Sequence, residues 1–285
     1  MILRLRRPAC LLKRLGPVAI TALLISAVGA SQTASPQFTE EMTKGIKSYR
    51  DTLYADAVRQ FMEALRLDPA SEAAHLYLAT SYMIQWIPGA DTPENTGNYR
   101  KAKREYFQVL KMDPVSPLAM ASLASMAYNH AILGSPEQRL ADLAEAEKWN
   151  ERRIAINPRD SEAYYYVGVI NWTQAYAAIQ NARLEEKMKP DDPGPLDDLE
   201  AKEVLRGKYG QTVENGIVNL TKCLDIDTEN EDAMSYIGLL LREKASLQHS
   251  TEAAKADVVQ AEAWYTRALD IRRMKAARTV KAPQN

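Results

Sequence analysis

Apolar and polar positions follow a helical period along this chain, and one pattern of them recurs five times. In the first copy the small residues Ala57 and Ala64 flank Phe61, and Asp68 and Pro69 follow. The spacing of four and three residues places the apolar positions on one face of a helix. The proline then ends that helix, because it restricts the residue before it and cannot continue the helix. The later copies begin at Ala102, Ala146, Gly216 and Ala261.

A second amphipathic segment lies before each copy of this pattern. Between the first and second copies it begins at Ser71, and after Pro158 it begins at Ser161. Each of these serines is followed by a glutamate, which is the arrangement expected at the start of a helix. Two kinds of helix therefore alternate along the chain, and the pattern predicts an all-α fold.

These residues resemble the tetratricopeptide repeat, a pair of antiparallel helices with small residues at the packing positions and a proline near the end. The resemblance covers residues 38 to about 273 and implies a right-handed superhelical solenoid of about five helix pairs. The repeats end at Pro69, Pro114, Pro158, Thr228 and Arg273, which lie 45, 44, 70 and 45 residues apart. The family repeat has about 34 residues. The excess predicts lengthened helices and insertions in repeats two to five.

Two of the insertions have distinct compositions. The segment from Gln85 to Asn98 contains two prolines and two glycines, which predict a loop that carries Trp86 and Ile87. In repeat four we expect a helix over 161–187, a break over 190–195 and a second helical stretch that kinks near Gly207 and Gly210.

The first thirty residues differ from the remainder of the chain. Five basic residues without an acidic one precede an apolar stretch from Gly16 to Val28, and small residues follow up to Ala30. This layout is typical of a secretory signal peptide, and the apolar stretch is shorter than the ~20 residues that cross a bilayer. We therefore expect an exported protein, periplasmic or secreted. A membrane anchor formed by an uncleaved signal is the alternative.

The expected organisation has four parts: a signal peptide (1–30), a linker (31–37), a repeat domain (38–274) and a disordered tail (275–285). Within the repeat domain, the five repeats fall at about 38–71, 72–116, 117–160, 161–230 and 231–274.

Charge narrows the choice of partner. The chain has 36 Lys and Arg against 37 Asp and Glu; without residues 1–30 the balance is 31 to 37, a net charge of −6. Nucleic acid and anionic membrane surfaces favour proteins with basic patches, so we expect neither as a partner. We also expect no membrane insertion after signal cleavage. Cleavage leaves Cys223 as the one cysteine. It occupies a small-residue position of the repeat, so we expect it to be buried.

Catalytic and metal-binding patterns are not apparent. His75, His130 and His249 are far apart and have no neighbouring ligand at a zinc-binding spacing, and there is no phosphate-binding glycine loop or nucleophile motif. We expect no enzymatic activity, no metal and no cofactor.

The resemblance instead implies that the first helix of each repeat lines a concave groove that holds a peptide or protein partner. Transferring the groove positions of the family predicts a partner-binding set of Tyr49, Arg50, Leu76, Met83, Tyr128, Asn129, Tyr165, Trp172 and Arg242. Aromatic residues and arginine are the types that anchor protein interfaces. The hypothesis is an exported interaction scaffold of unidentified partner. A structural or self-assembling envelope subunit, a homo-oligomer, remains as an alternative, and lengthened helices of the chain could cover many of these residues.

Overall fold

A computed structural model describes residues 35–189 and 194–281, and every regular element in these two stretches is a helix. The ten helices are α1 (Pro36–Arg50), α2 (Tyr54–Leu67), α3 (Glu72–Gln85), α4 (Pro93–Met112), α5 (Pro117–Leu133), α6 (Arg139–Ile156), α7 (Ser161–Glu185), α8 (Leu199–Ile226), α9 (Glu231–Ser246) and α10 (Thr251–Lys281). The predicted all-α class is confirmed. We call the odd-numbered helices A helices and the even-numbered ones B helices.

The helices form two compact units, which divide between Trp149 and Asn150 within α6. In the N-terminal unit, α1 packs on α2, α2 on α3, α3 on α4 and α4 on α5. In the C-terminal unit, α7 packs on α8, α8 on α9 and α9 on α10, and the A helices α7 and α9 also contact each other. The helices of four expected repeats therefore pack in pairs: α1 with α2, α3 with α4, α7 with α8, and α9 with α10.

Small residues allow the paired helices to approach closely. A Cβ atom added to Gly45 of α1 would lie 2.5 Å from the ring of Phe61 on α2. One added to Gly216 of α8 would lie 2.7 Å from a methyl group of Leu240 on α9. Ala57, Phe61 and Ala64, the positions of the first pattern copy, are fully buried. The pattern therefore identified the packing face correctly.

The third pattern copy has polar residues at two packing positions, and the structure shows how they are accommodated. Asn150 and Arg153 of α6 are both buried. The guanidinium of Arg153 donates to Asp160 at 3.0 Å, to Glu162 at 2.8 Å and to Asn150 at 3.2 Å. A buried charge is costly unless it is paired and hydrogen-bonded, and this network satisfies that requirement at the turn from α6 to α7.

Caps define the helix starts. Ser71 accepts a hydrogen bond from the amide of Ala74, as expected. At the start of α7, however, the capping side chain is Asp160, which accepts from the amide of Ala163, and Ser161 is already helical. Aspartate and serine are comparably good caps, so the sequence alone did not separate these adjacent positions.

Three expected boundaries are wrong. The loop of repeat two is shorter than 85–98, because Thr92 caps α4 and Pro93 occupies its first turn, where proline is favoured. The linker is also shorter than 31–37, because α1 begins at Pro36 with Ser35 as its cap. The stretch 275–281 of the expected disordered tail is helical, since no proline or glycine interrupts α10 before residue 283.

Repeat four contains the longest A helix and a long B helix. The first, α7, ends at Glu185, close to the expected end of its helix, and α8 remains helical through Gly207 and Gly210. The expected signal peptide and the central part of the expected break, residues 190–193, lie outside the described residues. Within residues 35–189 and 194–281, no helix has both the length and the apolar character needed to span a membrane.

Cys223 on α8 is fully buried, as expected from its position in the repeat. Burial raises the pKa of its thiol to about 12, and the negative charge of Asp227 adds to this effect. The thiol therefore stays protonated and unreactive at neutral pH.

Candidate functional site

Aromatic side chains of the N-terminal unit gather on the A helices α1 and α3 and at the start of α2. Tyr49 at the end of α1 contacts Tyr54, with ring centroids 5.6 Å apart, and Tyr77 of α3, at 5.9 Å. Tyr77 stacks in turn on the buried ring of Phe61 at 5.1 Å. Tyr49, Tyr54 and Tyr77 are each partly exposed, and we call them the N-terminal aromatic face.

A positive charge lies beside the N-terminal aromatic face. Arg50 is exposed and follows Tyr49 at the end of α1. Burial raises the pKa of Tyr77, and the charge of Arg50 opposes that rise, which places the guanidinium near the phenol. Leu76 is half-buried and packs against the core of the same unit. Of the expected partner-binding residues, the structure thus brings Tyr49 and Arg50 to this face.

Three other expected partner-binding residues are not accessible. The side chains of Met83, Tyr128 and Asn129 are 3%, 5% and 4% exposed. Met83 lies against the hydroxyl of Tyr106, and Asn129 donates to the carbonyl oxygen of Ser125 within its own helix. The prediction that they line an open groove is therefore wrong for this structure.

The sequence of α5 carries a signal for this burial. From Pro117 to Leu133 it has no Lys, Arg, Asp or Glu, and small and apolar residues surround the helix on every side. A helix that is apolar all round is a buried helix, so Tyr128 and Asn129 belong to the core whatever their repeat position.

A second aromatic cluster lies on the A helices of the C-terminal unit. Trp172 of α7 contacts Tyr176, with centroids 4.6 Å apart, and Tyr236 of α9, at 5.4 Å. Tyr165 contacts the same Tyr236 edge to face at 6.0 Å. Tyr165, Trp172 and Tyr236 are partly exposed and Tyr176 is 39% exposed. We call these four residues the C-terminal aromatic face; it contains two of the expected partner-binding residues.

A carboxylate is buried beside the C-terminal aromatic face. Glu243 of α9 is 2% exposed, and both its oxygens accept from the side-chain amide of Gln180 on α7 at 3.1 Å. Burial raises the pKa of Glu243 to about 7. The hydrogen bonds from Gln180, the charge of Arg183 and the indole N–H of Trp172 each lower this pKa and so limit the rise. That N–H is close enough to lower the pKa, although the pair lies outside ordinary hydrogen-bond geometry.

Arg242, the last expected partner-binding residue, points elsewhere. Its guanidinium forms an ion pair with Glu262 on α10. Its neighbour Glu243, which the transferred groove positions also include, lies beside Trp172 instead. The sequence did not indicate Gln180 and Arg183, which act on Glu243. The available signal was a charged residue, Arg183, close to the buried Ile179 in a largely apolar helix.

The insertion of repeat four is fastened to the same region. Arg183 donates to the hydroxyl of Ser246 at 3.0 Å and to the carbonyl oxygen of Lys189 at 3.0 Å. The backbone amide of Leu196 donates to the carbonyl oxygen of Ser246 at 2.9 Å, and the buried ammonium of Lys202 donates to Leu196 at 2.8 Å. These bonds hold the segment between α7 and α8 against the end of α9.

Two histidines have acidic partners that the sequence did not reveal. His75 contacts the buried carboxylate of Glu105 at 2.8 Å through Nδ1, and His130 contacts Asp142 at 2.6 Å. The partners are 30 and 12 residues away along the chain, so local spacing could not show them. In the part of the chain that the structure describes, His, Cys, Asp and Glu do not form any group of three that could hold a metal ion.

Comparison with known proteins identifies the fold. No family model matches the sequence, and no curated protein matches it significantly. Among solved structures, a crystal structure of MamA matches with a TM-score of 0.54 and 17% identity over 87% of this chain and 98% of that one. A MamA structure (residues 41 to the end) from Desulfovibrio magneticus RS-1 matches with a TM-score of 0.50 and 16% identity, over 85% and 98%.

A thermophilic TPR protein from Thermus thermophilus, TTC0263, matches with a TM-score of 0.40 and 14% identity, over 85% of this chain and 99% of that one. The chain shares its all-α fold with the two MamA structures.

Proposed function

We propose that this chain is an exported interaction scaffold that holds a peptide or protein partner on its A helices. The observation that carries this proposal is the presence of a partly exposed aromatic face in each unit. The backs of the same helices are fixed in the core by residues such as Leu78 of α3 and Val167 of α7. Exposed aromatic rings on a rigid support are well suited to bind, because they bury much area and lose little conformational entropy.

The surroundings of these faces favour binding over catalysis. The carboxylates of Glu105 and Glu243 are held by neighbouring side chains and lie in different units. Neither has a second carboxylate or a nucleophile among its hydrogen-bond partners in the described residues. Acid–base or covalent catalysis needs such a partner within hydrogen-bond reach. Export is proposed on the composition of the first thirty residues alone.

Site-specific photo-cross-linking tests the proposal. p-Benzoylphenylalanine would replace Tyr165 on the C-terminal aromatic face, and as a matched control Val218, which is half-exposed on the B helix α8. The expected result in native cells is a discrete cross-linked partner from position 165 and none from position 218. Cross-links from position 218 alone would place the partner on the B helices and refute the proposal.

A self-assembling envelope subunit is the second candidate, and one loop of the N-terminal unit favours it. Ile87 is 66% exposed, whereas its neighbour Trp86 is buried against Tyr99 with ring centroids 4.9 Å apart. Trp86 is thus unavailable for contact with another copy, whereas Ile87 is an exposed apolar residue held by the bonds of Asn95. If copies associate through it, Ile87→Asp lowers the mass measured by light scattering at high concentration. If light scattering shows a monomer for both the parent protein and Ile87→Asp, this candidate is ruled out.

A further inference from the structure

The two aromatic faces differ in the charge that accompanies them. Beside the N-terminal aromatic face stands Arg50, an exposed cation that acts on Tyr77. Beside the C-terminal aromatic face stands Glu243, a buried carboxylate that the indole N–H of Trp172 approaches. Each neighbouring charge favours a ligand of the opposite charge. The two faces are therefore suited to different ligands, although both consist of aromatic rings.

Glu243 is a buried acid that accepts hydrogen bonds from a neutral side chain. It is on the A helix α9 and makes its hydrogen bonds with the neutral amide of Gln180. Within residues 35–189 and 194–281 it has no ion pair; the guanidinium of Arg183 donates to Ser246 and to the carbonyl oxygen of Lys189, and its charge favours the ionised form of Glu243. Because this carboxylate is buried, its charge acts on a ligand at the rings through the intervening protein and not through a direct hydrogen bond.

The rings next to this carboxylate have a matching preference. The face of an aromatic ring carries negative potential and attracts ammonium and guanidinium groups that lie within about 6 Å of its centre. Tryptophan, here Trp172, attracts cations more strongly than the other aromatic side chains do. The ring of Tyr236 lies 5.4 Å from it at an interplanar angle of 72°, so the two rings present differently oriented surfaces. A negative charge a short distance behind the rings strengthens the attraction, because it acts through a poorly screening interior.

We propose that the C-terminal aromatic face receives a cationic side chain, lysine or arginine, from the partner. This inference rests on the proposed function and adds the chemistry of the ligand. Trp172 and Tyr236 supply the aromatic surface, and Glu243 supplies the compensating charge when it is ionised. The net charge of −6 outside residues 1–30 favours approach of a basic segment in the same sense.

Fluorine NMR of the full chain labelled with 5-fluorotryptophan tests the inference. The protein has four tryptophans, and Trp172→Phe assigns the resonance of interest. The probes are Nα-acetyl-lysine methylamide and its uncharged isostere Nα-acetyl-norleucine methylamide. The lysine probe should shift the Trp172 resonance saturably, and the norleucine probe should bind about tenfold more weakly.

Two variants locate the source of the selectivity. Glu243→Gln preserves the shape of the side chain and removes its charge, and it should weaken lysine binding about fivefold to tenfold. The other three tryptophan resonances should stay in place, which shows that the variant is folded. Glu63→Gln, the same change at an exposed carboxylate of the B helix α2, should leave the lysine affinity at Trp172 unchanged.

Other outcomes overturn the inference. Equal binding of lysine and norleucine would make the face an apolar surface, and undiminished lysine binding in Glu243→Gln would make the carboxylate irrelevant. Absence of any response to the lysine probe would also refute it. The proposed scaffold function would survive each of these results if position 165 still cross-links a partner, so the two failures are distinguishable.

Discussion

Gly168 of α7 lies directly against Leu220 of α8, so closely that a Cβ atom on the glycine would stand 2.3 Å from Cγ of the leucine. Both residues are buried. The contact lies between α7 and α8, the longest helix pair of the C-terminal unit. It explains why a glycine is present in the middle of a helix, where glycine is otherwise unfavourable.

Gly168→Ala should therefore destabilise the protein, because the added methyl group forces Leu220 or the helix to move. We expect a loss of about 1–3 kcal/mol in the free energy of unfolding, measured by urea denaturation. Gly207→Ala on α8 is the matched control, since no atom lies within 4 Å of its Cβ position. That change should stabilise by about 0.5–1 kcal/mol, as alanine does in an open helical site. Equal effects of the two changes would contradict the close contact.

Glu243 should make stability depend on pH. Burial raises its pKa to about 7 in the folded protein, from 4.5 in the unfolded chain. Between these values the folded state holds more protons than the unfolded state, so its stability falls as pH rises from 4.5 to 7 and is level above. The loss amounts to about 3 kcal/mol for a shift of this size. Urea denaturation at pH 5 and pH 8 measures it.

Glu243→Gln is the control for this titration, since the amide cannot ionise and the other groups of the protein are unchanged. The variant should lose part of the pH dependence and gain stability relative to the parent protein at pH 8. Arg183 is the neighbouring charge that limits the effect, because its guanidinium favours the ionised carboxyl. If both proteins show the same difference between pH 5 and pH 8, Glu243 does not titrate in this range.

Asn95 holds the loop between α3 and α4. Its side-chain oxygen accepts from the amide of Ile87 at 2.7 Å, and its amide donates to the carbonyl oxygens of Ile87 at 2.8 Å and Ala90 at 2.7 Å. Asn95→Ala removes all three bonds from a buried position and should cost about 2–3 kcal/mol in the free energy of unfolding. Asn98→Ala, one turn further along α4, should cost less than about 0.5 kcal/mol. Faster amide hydrogen exchange at Ile87 in the first variant alone would locate the effect in the loop.

The last turns of α10 are held by exposed ion pairs. Lys275 contacts Glu231 at 2.5 Å, and Arg278 contacts Glu229 at 2.8 Å. Exposed pairs of this kind contribute about 0–1 kcal/mol and are screened by salt. The double change Lys275→Ala with Arg278→Ala should therefore lower stability by no more than about 1 kcal/mol at low salt and by less at high concentrations of sodium chloride. A loss that is independent of salt would point to packing rather than charge.

Much of the fold could be predicted from the sequence because its signals are local. The recurrence of Ala57, Phe61 and Ala64 and of their later counterparts depends on helical spacing, and the structure places them in the core. The end of α10 was mispredicted although its signal is also local: residues 275–281 were expected to be disordered, whereas helix-forming residues without a breaker extend the helix to Lys281. In both cases the deciding information lay within one element.

The candidate site shows where local information ends. The repeat pattern identified Tyr49, Tyr165 and Trp172 as residues of the A helices, and each is partly exposed. It equally indicated Met83 and Tyr128, which the structure buries. Exposure depends on which neighbouring helices pack around a position, and a repeat consensus does not specify the lengths and contacts of those helices in this chain.

The sequence by itself determined the helix class, the pairing of consecutive helices and the burial of the small-residue positions, because these follow from periodicity and side-chain volume. Only the tertiary structure decided which aromatic residues form the two faces and which charge stands beside each. Glu243 and Gln180 are 63 residues apart and meet because α7 packs on α9. A contact of that kind is a property of the packed helices, since no spacing rule within a single helix can produce it.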